Sequence, residues 1–195
     1  MHNRVAGIIL AAGESKRLGT PKQLLKLHGK ALINYAVDLA IESKLDPIVV
    51  VLGAYYQDIK SQLNQYQKII IINNHSWQEG QSTSLIQGVD KVKNLKIPAL
   101  ILLCDQPGLT PDIVEEIIDI HKASKAEVVM LKTNEKRTPP VLFTPICFPK
   151  IFTLTGDRGA REIVDEFSIE YLQNEDENKI QDIDTFEDYK RLNFN

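Results

Sequence analysis

The sequence predicts an α/β fold in which helices cover both faces of a mostly parallel central sheet. Short apolar runs rich in Ile, Val and Leu alternate along the chain with segments of helical spacing. Runs that are apolar throughout, rather than at every second residue, are typical of parallel strands buried on both faces. Alternation of such strands with helices predicts right-handed crossovers. Ligands of these sheets bind beyond the carboxyl ends of the strands, so the residues after each strand are the first candidates for a site.

The apolar runs predict five strands, at residues 5–10, 47–52, 69–72, 99–103 and 127–131. Helical spacing predicts helices between and after them, at residues 31–43, 56–63, 84–92, 111–123, 158–166 and 185–192. Two of the helices carry start signals, because Thr110 and Thr185 stand at N-cap positions and Pro111 suits a first helical turn.

The second half of the chain is less regular than the first. Its segment 138–143 contains Pro139 and Pro140, and proline cannot donate a ladder hydrogen bond, so we expect an edge strand or the entry to a β-ribbon. Residues 174–179 predict a polar turn. With no repeat, low-complexity stretch or long linker, residues 1–195 are expected to form one domain.

Composition excludes several classes of protein. The net charge is −3, from 23 basic and 26 acidic side chains, which disfavours a dedicated nucleic-acid binder. No apolar run approaches the ~20 residues of a membrane span, and the start lacks a signal peptide, so a cytoplasmic protein without membrane contact is expected. Cys104 and Cys147 form no C-x-x-C pair, which predicts buried reduced thiols.

A glycine-containing loop follows the first strand, with the sequence LAAGESKRLGTPK at residues 10–22. It fits neither G-x-G-x-x-G nor the Walker pattern, because five residues separate its glycines and Thr20-Pro21-Lys22 follows the second. Its small residues let the backbone approach a ligand, and successive N–H groups can form an anion-binding nest. A basic solvated turn is the alternative. We expect a nucleoside triphosphate to contact Leu10, Ala11, Ala12, Gly13, Ser15, Arg17 and Lys22, with Arg17 clamping phosphate and Lys22 supplying a point charge.

Asp105 directly follows the fourth predicted strand and is the candidate metal ligand. A carboxylate there can hold Mg²⁺ against triphosphate oxygens, since Mg²⁺ favours one or two carboxylates with water and phosphate. The alternative is a turn aspartate, because Pro107-Gly108 follows closely. Gly53 follows the second strand and is a nucleotide-binding candidate by topology alone. No histidine shows metal-ligand spacing or belongs to a recognisable Ser-His-Asp set.

Several further segments carry a family resemblance together with the loop. They are residues 74–77 (NHSW) with 80–85 (GQSTSL), 104–107 (CDQP), 155–161 (TGDRGAR) and 182–185 (DIDT). With LAAGESKRLGTPK, this set resembles the MobA-like nucleotidyltransferases, and within them the molybdenum cofactor cytidylyltransferases. Four positions depart from the family's pattern: His75, Gln81, Thr83 and Phe186.

The resemblance implies a Rossmann-like fold of the nucleotide-diphospho-sugar transferase type, with a small β-ribbon extension. It implies transfer of CMP from CTP to the phosphate of a molybdopterin or molybdenum cofactor, with release of pyrophosphate and dependence on Mg²⁺. The implied catalytic residues are Arg17, Lys22 and Asp105. A guanylyltransferase using GTP is a close alternative. A non-catalytic carrier that delivers the pterin to a molybdenum hydroxylase is an alternative of another class.

The resemblance also implies roles for residues outside the first loop. Asp184 would complete the metal site with Asp105, and Gly80, Ser82 and Ser84 would lie beside the base and sugar. Ser82 could instead cap the helix that follows it. Arg158 or Arg161 would face the phosphate of the acceptor, although Asp157 could open a helix there as its N-cap.

Overall fold

The computed structural model describes residues 4–134, 136–174 and 180–193. Its strands are β1 (Ala6–Ala11), β2 (Lys26–Leu27), β3 (Lys30–Ala31), β4 (Ile48–Leu52), β5 (Ile69–Asn73), β6 (Ala99–Leu103), β7 (Val128–Thr133), β8 (Lys136–Phe143) and β9 (Ile169–Gln173). Its helices are α1 (Leu32–Glu42), α2 (Tyr56–Gln62), α3 (Gln81–Val92), α4 (Pro111–Ser124), α5 (Phe148–Ile151) and α6 (Phe186–Asn193). The predicted polar turn at 174–179 lies outside the described residues, except for Asn174.

The central sheet has seven strands in the order β5-β4-β1-β6-β8-β7-β9. Strands β5, β4, β1 and β6 are parallel neighbours, and β9 is parallel to β7. Strand β8 is antiparallel to both of its neighbours, while β2 and β3 form a separate two-stranded antiparallel sheet. The predicted α/β class, with a mostly parallel sheet and a small ribbon, is confirmed, and all five predicted strands are present.

Helices cover both faces of the sheet, as the apolar strands predict. Helices α1, α2 and α4 pack on one face against alternate residues of the strands, including Ile9, Val50 and Leu102. Helices α3 and α5 pack on the other face, against residues such as Ile8 and Val51. Strands β1 and β4 are buried along their whole length, whereas the edge strand β5 is only half-buried.

The path of the chain leaves a crevice at the carboxyl end of β1. After β1 the chain forms β4 on one side and later returns to form β6 on the other side. Leu10 of β1 pairs with Leu103 of β6, so the segments that follow these two strands begin side by side. Reversal of strand order at one strand is the point at which open α/β sheets bind ligands.

The prediction of an edge strand at 138–143 is wrong, because β8 lies between β6 and β7. The prolines are accommodated by an irregularity in the ladder rather than by a free edge. Pairing with β7 jumps from Met130–Val141 to Leu131–Thr138, and pairing with β6 stops at Ile101–Val141. Pro139 and Pro140 therefore lie where no ladder N–H is needed, as at other bulges.

Two helix predictions need correction. Residues 158–166 form no α-helix but two short 3₁₀ turns, Ala160–Glu162 and Val164–Glu166, so Asp157 does not cap a helix. Helix α3 begins at Gln81, three residues earlier than predicted. Strand β9 was not predicted, because its sequence IEYLQ lacks a continuous apolar run.

Two expectations from composition are also testable on the described residues. Cys104 and Cys147 are both buried and free, as predicted. Among the helices of the described residues, none has the length and apolar character needed to cross a bilayer.

Candidate active site

A cleft of about 580 Å³ opens where β1 and β6 end. The segment after β1 forms one wall, the start of α3 forms another, and the residues after β6 form the floor. Most of the residues predicted to bind the nucleotide line it: Leu10, Ala11, Ala12, Gly13, Ser15, Lys22, Gly80 and Ser84. Asp105, the predicted metal ligand, lines it too. Trp77, Gln81 and Asp157 line it as well.

The loop over residues 12–22 is held in shape by its own hydrogen bonds. Ser15 adopts a left-handed conformation, with φ of 59°, and its Oγ accepts the backbone N–H of Lys22 at 3.1 Å. The side chain of Gln23 is buried beneath the loop and donates from Nε2 to the carbonyls of Ala11 at 2.9 Å and Gly13 at 2.8 Å. Gln23 was missed by the sequence reasoning, although its position directly after Lys22 is a usable signal.

Lys22 lies between two carboxylates at the floor of the cleft. Its Nζ donates a short hydrogen bond to Oδ2 of Asp105 and a second one, of 3.1 Å, to Oδ1 of Asp184. The Lys22 side chain is only 18% exposed. Burial lowers the pKa of Lys22, but the negative charge of Asp105, with a smaller contribution from Asp184, outweighs burial and holds this pKa above its ordinary value.

Contacts of the Asp105 backbone and of Gln106 bring the distant Asp184 to this point. The N–H of Ile183 donates to the carbonyl of Asp105 at 3.0 Å, and Gln106 donates from Nε2 to Oδ1 of Asp182 at 2.9 Å. Burial and the charge of Asp105 raise the pKa of Asp182, which Lys136 partly opposes. The segment that carries Asp184 is therefore tied to the end of β6.

The start of α6 fixes the other side of Asp184. Oδ2 of Asp188 accepts the backbone N–H of Thr185 at 2.9 Å, and Oγ1 of Thr185 accepts the N–H of Asp188 at 3.2 Å. This reciprocal pair is a capping box, in agreement with the predicted N-cap at Thr185. Asp184 thus lies directly before a rigid helix start.

The carboxylates at Asp105 and Asp184 fit a divalent cation of the Mg²⁺ type. The Asp105 side chain is buried, with only 7% of the residue exposed, and its Oδ1 has no hydrogen-bond partner. A buried carboxylate oxygen without a partner is costly unless a further ligand bonds to it. Among the described ranges, no group of three or more His, Cys, Asp or Glu side chains suits a metal. Two carboxylates match a cation that takes its other ligands from water and phosphate.

The segment from Gly80 to Ser84 forms the wall opposite the first loop. Gly80 has φ of 113°, and a Cβ there would overlap the backbone of Gly156, so only glycine fits. Gly80, rather than Ser82, is the N-cap of α3, so the alternative of Ser82 as a helix cap is wrong. The Ser82 Oγ instead donates to the carbonyl of Gly156 at 2.7 Å, and both the N–H and the side chain of Ser82 bind the 155–161 segment to α3.

Asn74 supports the same wall from below. Its Nδ2 donates to Oγ of Ser84 at 2.9 Å and to Oγ1 of Thr83 at 2.9 Å, while its Oδ1 accepts from Gln87 at 2.7 Å. Asn74 is fully buried at the end of β5. This network orients the Ser84 hydroxyl, which lines the cleft.

Four residues predicted to bind the nucleotide or the metal are absent from the lining of the cleft: Gly53, Arg17, Ser82 and Asp184. Ser82 is buried, and Asp184 borders the depression beside Lys22. A Cβ at Gly53 would come within 2.7 Å of the Trp77 Cβ and 2.8 Å of the Ala12 carbonyl. Arg17 is 81% exposed in a shallower depression beside Lys22, with its Nη1 4.0 Å from Oδ2 of Asp184.

The predicted acceptor residues belong to the 155–161 segment and are absent from the lining of the main cleft. Arg158 and Arg161 are both exposed, and Nη1 of Arg161 donates to the carbonyl of Arg137 at 3.2 Å. Arg161 borders a second cavity of about 190 Å³, which is lined both by apolar side chains and by Gln81, Asp157 and Glu162. The two cavities share Leu10, Gln81, Leu103 and Asp157, so the smaller one adjoins the main cleft.

Comparison with known proteins agrees with this arrangement. The model of the MobA-like NTP transferase domain matches residues 7–174. Nicotine blue oxidoreductase of Paenarthrobacter nicotinovorans is 30% identical over 96% of this chain and 96% of its own length. Purine catabolism protein PucB of Bacillus subtilis is 30% identical over 94% of this chain and 93% of its own. The protein named probable molybdenum cofactor guanylyltransferase of Bacillus mycoides is 23% identical over 89% and 86%.

Solved structures share the whole fold. Rv0371c from Mycobacterium tuberculosis superposes with a TM-score of 0.85 at 25% identity, covering 100% of both chains. A manganese complex of the same protein gives a TM-score of 0.81 at 22% identity, again over 100% of both chains. The matched domain includes the first loop, Asp105 and the start of α3, and the curated relatives span nearly the full length of the chain. This chain belongs to the MobA-like NTP transferase family.

Proposed function

We propose that this protein transfers CMP from CTP to the phosphate of a molybdopterin or molybdenum cofactor, with release of pyrophosphate. The observation that carries the proposal is the pairing of Lys22 with Asp105 on the floor of the cleft, beside the loop of small residues. This combination offers backbone N–H groups, a cation and a partnerless carboxylate oxygen, which are the groups that a metal-bound triphosphate requires.

In the proposed reaction, an oxygen of the acceptor phosphate attacks the α-phosphorus of CTP. A new P–O bond forms at that phosphorus, the bond to the bridging α–β oxygen breaks, and pyrophosphate leaves with the electron pair. A phosphate nucleophile is already ionised near pH 7, so the step requires no general base. This agrees with the absence of a histidine from the lining of the cleft, as far as the described residues extend.

The residues of the chain act by positioning charge. Lys22 and Arg17 stabilise the charge that develops on the α-phosphate and the leaving group, and the N–H groups of the loop orient the phosphates. Asp105 and Asp184 would hold Mg²⁺, which neutralises and orients the triphosphate when it is bound. Gly80, Ser82 and Ser84 are proposed to lie beside the base and ribose, with Gly53 supporting the wall behind Trp77.

The acceptor is proposed to approach from the side of Arg158 and Arg161. The Arg161 guanidinium supplies a cation for a phosphate, and the apolar part of the adjoining cavity, at Leu85 and Met130, offers room for a planar ring. A fused bicyclic pterin is a flat group of suitable size for such a cavity.

The choice between CTP and GTP is the open part of the proposal. The CDQP and TGDRGAR segments resemble the molybdenum cofactor branch of the family, and the motifs taken together favour CTP by their resemblance to the cofactor cytidylyltransferases. The relative from Bacillus mycoides is named as a guanylyltransferase, which favours GTP. A carrier that only delivers the cofactor to a molybdenum hydroxylase would need no site for a metal-bound triphosphate.

One experiment separates these possibilities. The purified protein is incubated with molybdopterin, Mg²⁺ and each of CTP, GTP, ATP and UTP, and pyrophosphate release is measured. Release with CTP alone is expected. Release with GTP alone assigns a guanylyltransferase, and release with none of the four, together with cofactor binding, would support a carrier. Calorimetric titration with the same nucleotides gives base preference independently of the acceptor.

A further inference from the structure

The Lys22 ammonium stands in an unusual place for a group that is to bind phosphate. It bridges the carboxylates of Asp105 and Asp184, the same two groups that fit a divalent cation. Both charge partners of Lys22 are therefore candidate metal ligands, and the cation lies between them rather than in the open part of the cleft. An ammonium in this place and a metal ion would each bind these oxygens more weakly in the presence of the other, because like charges in a partly buried site repel.

We infer that Lys22 holds the cation position in the metal-free protein and leaves it only when a triphosphate arrives with its metal. The inference rests on the proposed metal role of Asp105 and Asp184. In the metal-free state the ammonium neutralises a carboxylate that would otherwise be buried with a charge and no partner, which is strongly unfavourable. When CTP is bound, its phosphates give Lys22 a new set of acceptors, and the two carboxylates become available to the metal.

The local contacts support such an exchange. The backbone N–H of Lys22 is fixed by Ser15, and Gln23 anchors the loop from below, so the main chain stays in place while the side chain changes partners. The Lys22 side chain carries a compact charge on a flexible four-carbon stem, which suits movement between two sets of acceptors. Oδ1 of Asp105 has no partner even with Lys22 in place, so one ligand position for the metal is already open.

The consequence is a metal site that is weak by itself and strong with nucleotide. Metal alone must displace the Lys22 ammonium from the carboxylates. When the metal arrives with a triphosphate, the displaced ammonium can bind the phosphate oxygens instead. The two ligands then bind cooperatively, in the sense that each makes the site more favourable for the other. Removal of the positive charge at residue 22 should therefore raise the affinity for metal alone, although it lowers turnover.

The test measures binding of Mn²⁺ alone, without nucleotide, to the full chain by the loss of the free Mn²⁺ signal in electron paramagnetic resonance. The variants are Lys22→Met, Lys22→Gln and the matched control Lys16→Met, which removes a charge from the same loop. The Lys16 side chain is 82% exposed, and its ion pair is with Glu14 rather than with Asp105 or Asp184. Thermal unfolding with and without Mn²⁺ gives a second measurement, which remains informative for a variant of reduced stability.

We expect Lys22→Met and Lys22→Gln to bind Mn²⁺ about tenfold more tightly than the wild type, because a charge-assisted hydrogen bond no longer has to be displaced. Lys16→Met should keep the wild-type affinity, and adding Asp105→Asn to Lys22→Met should remove the gain. Mn²⁺ should raise the unfolding temperature of the Lys22 variants more than that of the wild type.

Unchanged or weaker Mn²⁺ binding by both Lys22 variants would overturn the exchange. An equal gain in Lys16→Met would also overturn it, because the effect would then be one of general charge. A gain that survives Asp105→Asn would place the metal elsewhere and would remove the proposed metal site as well. Pyrophosphate release by the wild type tests the proposed function separately, since it does not depend on how Lys22 behaves without nucleotide.

Discussion

A few charged side chains that are shielded from solvent determine the electrostatics of the cleft. Lys22 and Asp105 form a nearly buried ion pair, and Gln23 donates hydrogen bonds to two carbonyls of the loop. A buried pair contributes little net stability, but the loss of one partner leaves an uncompensated charge. Substitutions at these positions therefore test the proposed chemistry more directly than substitutions in the exposed part of the loop.

The first prediction concerns the proposed role of Lys22 in turnover. Lys22→Ala should lower turnover by ~10²-fold or more at saturating CTP, by analogy with the loss of one preorganised donor. The measurement is pyrophosphate release with the cofactor as acceptor, and Lys16→Ala is the control in the same loop. Full activity in the Lys22 variant, with a correct acceptor, would contradict the assignment.

The second prediction concerns the two cysteines and pH. Burial raises the pKa of Cys147 to about 11 and that of Cys104 to about 12, so both remain neutral thiols at pH 8. Iodoacetamide should therefore modify neither thiol in the native protein at pH 8, and both after unfolding, because thiolate is the reactive form. Mass spectrometry of the alkylated protein gives the count.

The same shift makes the protein less stable at alkaline pH. A raised thiol pKa stabilises the native state below the pKa of the unfolded thiol, and this contribution is lost as pH rises towards 11. Between pH 7 and 10, the wild type should lose about 1–2 kcal/mol more unfolding free energy than Cys147→Ala. Urea unfolding at both pH values measures the difference, and equal losses in the two proteins would contradict the buried neutral thiol.

The positions of these side chains depend on where a helix begins and on how closely a helix packs against the sheet. The capping box at Thr185 and Asp188 fixes where α6 begins and so where Asp184 lies. Helix α3 approaches β1 at Gly88, where a Cβ would overlap the Ile8 side chain. The first contact orients a charged side chain and the second sets the distance between a helix and the sheet.

Loss of the capping box should weaken α6 and disturb Asp184 together. Thr185→Ala should lower the unfolding free energy by about 1 kcal/mol, the usual cost of an N-cap side chain. Glu187→Ala in the same first turn is the control, because the capping bonds described above do not include Glu187. Chemical denaturation measures the change, and equal effects of the two substitutions would contradict the role of Thr185.

Gly88 provides a test of the contact between α3 and β1. Gly88→Ala should destabilise the protein by about 1–3 kcal/mol, because overpacking against Ile8 outweighs the better helix propensity of alanine. The double variant Gly88→Ala with Ile8→Ala should be less destabilised than the sum of the two single variants, because Ile8→Ala removes the Cγ2 atom that the new Cβ would meet. Thermal and urea unfolding measure both, and a gain in stability for the single variant would show that the helix can move away.

The topology of the whole chain brings the charged residues of the cleft together. The reversal of strand order at β1 puts the loop after β1 beside Asp105 after β6. The last segment of the chain returns to the same edge through Ile183, which donates to the Asp105 carbonyl. Three separate parts of the chain therefore contribute charge to one cleft.

Ligand binding at this meeting point should stabilise the entire fold. At a CTP concentration 100 times its Kd, in the presence of Mg²⁺, unfolding should become about 2.7 kcal/mol less favourable by mass action. At the same CTP and Mg²⁺ concentrations, Asp105→Asn should gain less unfolding free energy from the ligand than the wild type gains. Calorimetry measures each protein against its own unliganded stability. An equal shift in both proteins would contradict the proposed metal role of Asp105.

Local sequence patterns predict the layers of the fold and part of the candidate site. Continuous apolar strands indicate a buried parallel sheet, and small residues followed by Arg17 and Lys22 indicate a phosphate loop, because both signals are local along the chain. Asp105 was found for the same reason, since it directly follows a strand. The Thr185 cap was also predicted from local residue types.

Contacts between groups that are distant in sequence follow from tertiary packing alone. Lys22 lies 162 positions from Asp184, and no local pattern predicts that they share a hydrogen bond. The inner position of β8 depends on a bulge that removes the need for the proline N–H groups, and the contact between Gly80 and Gly156 depends on the docking of a segment without helical structure. Packing between remote segments fixed these features, and local propensity carries no record of such contacts.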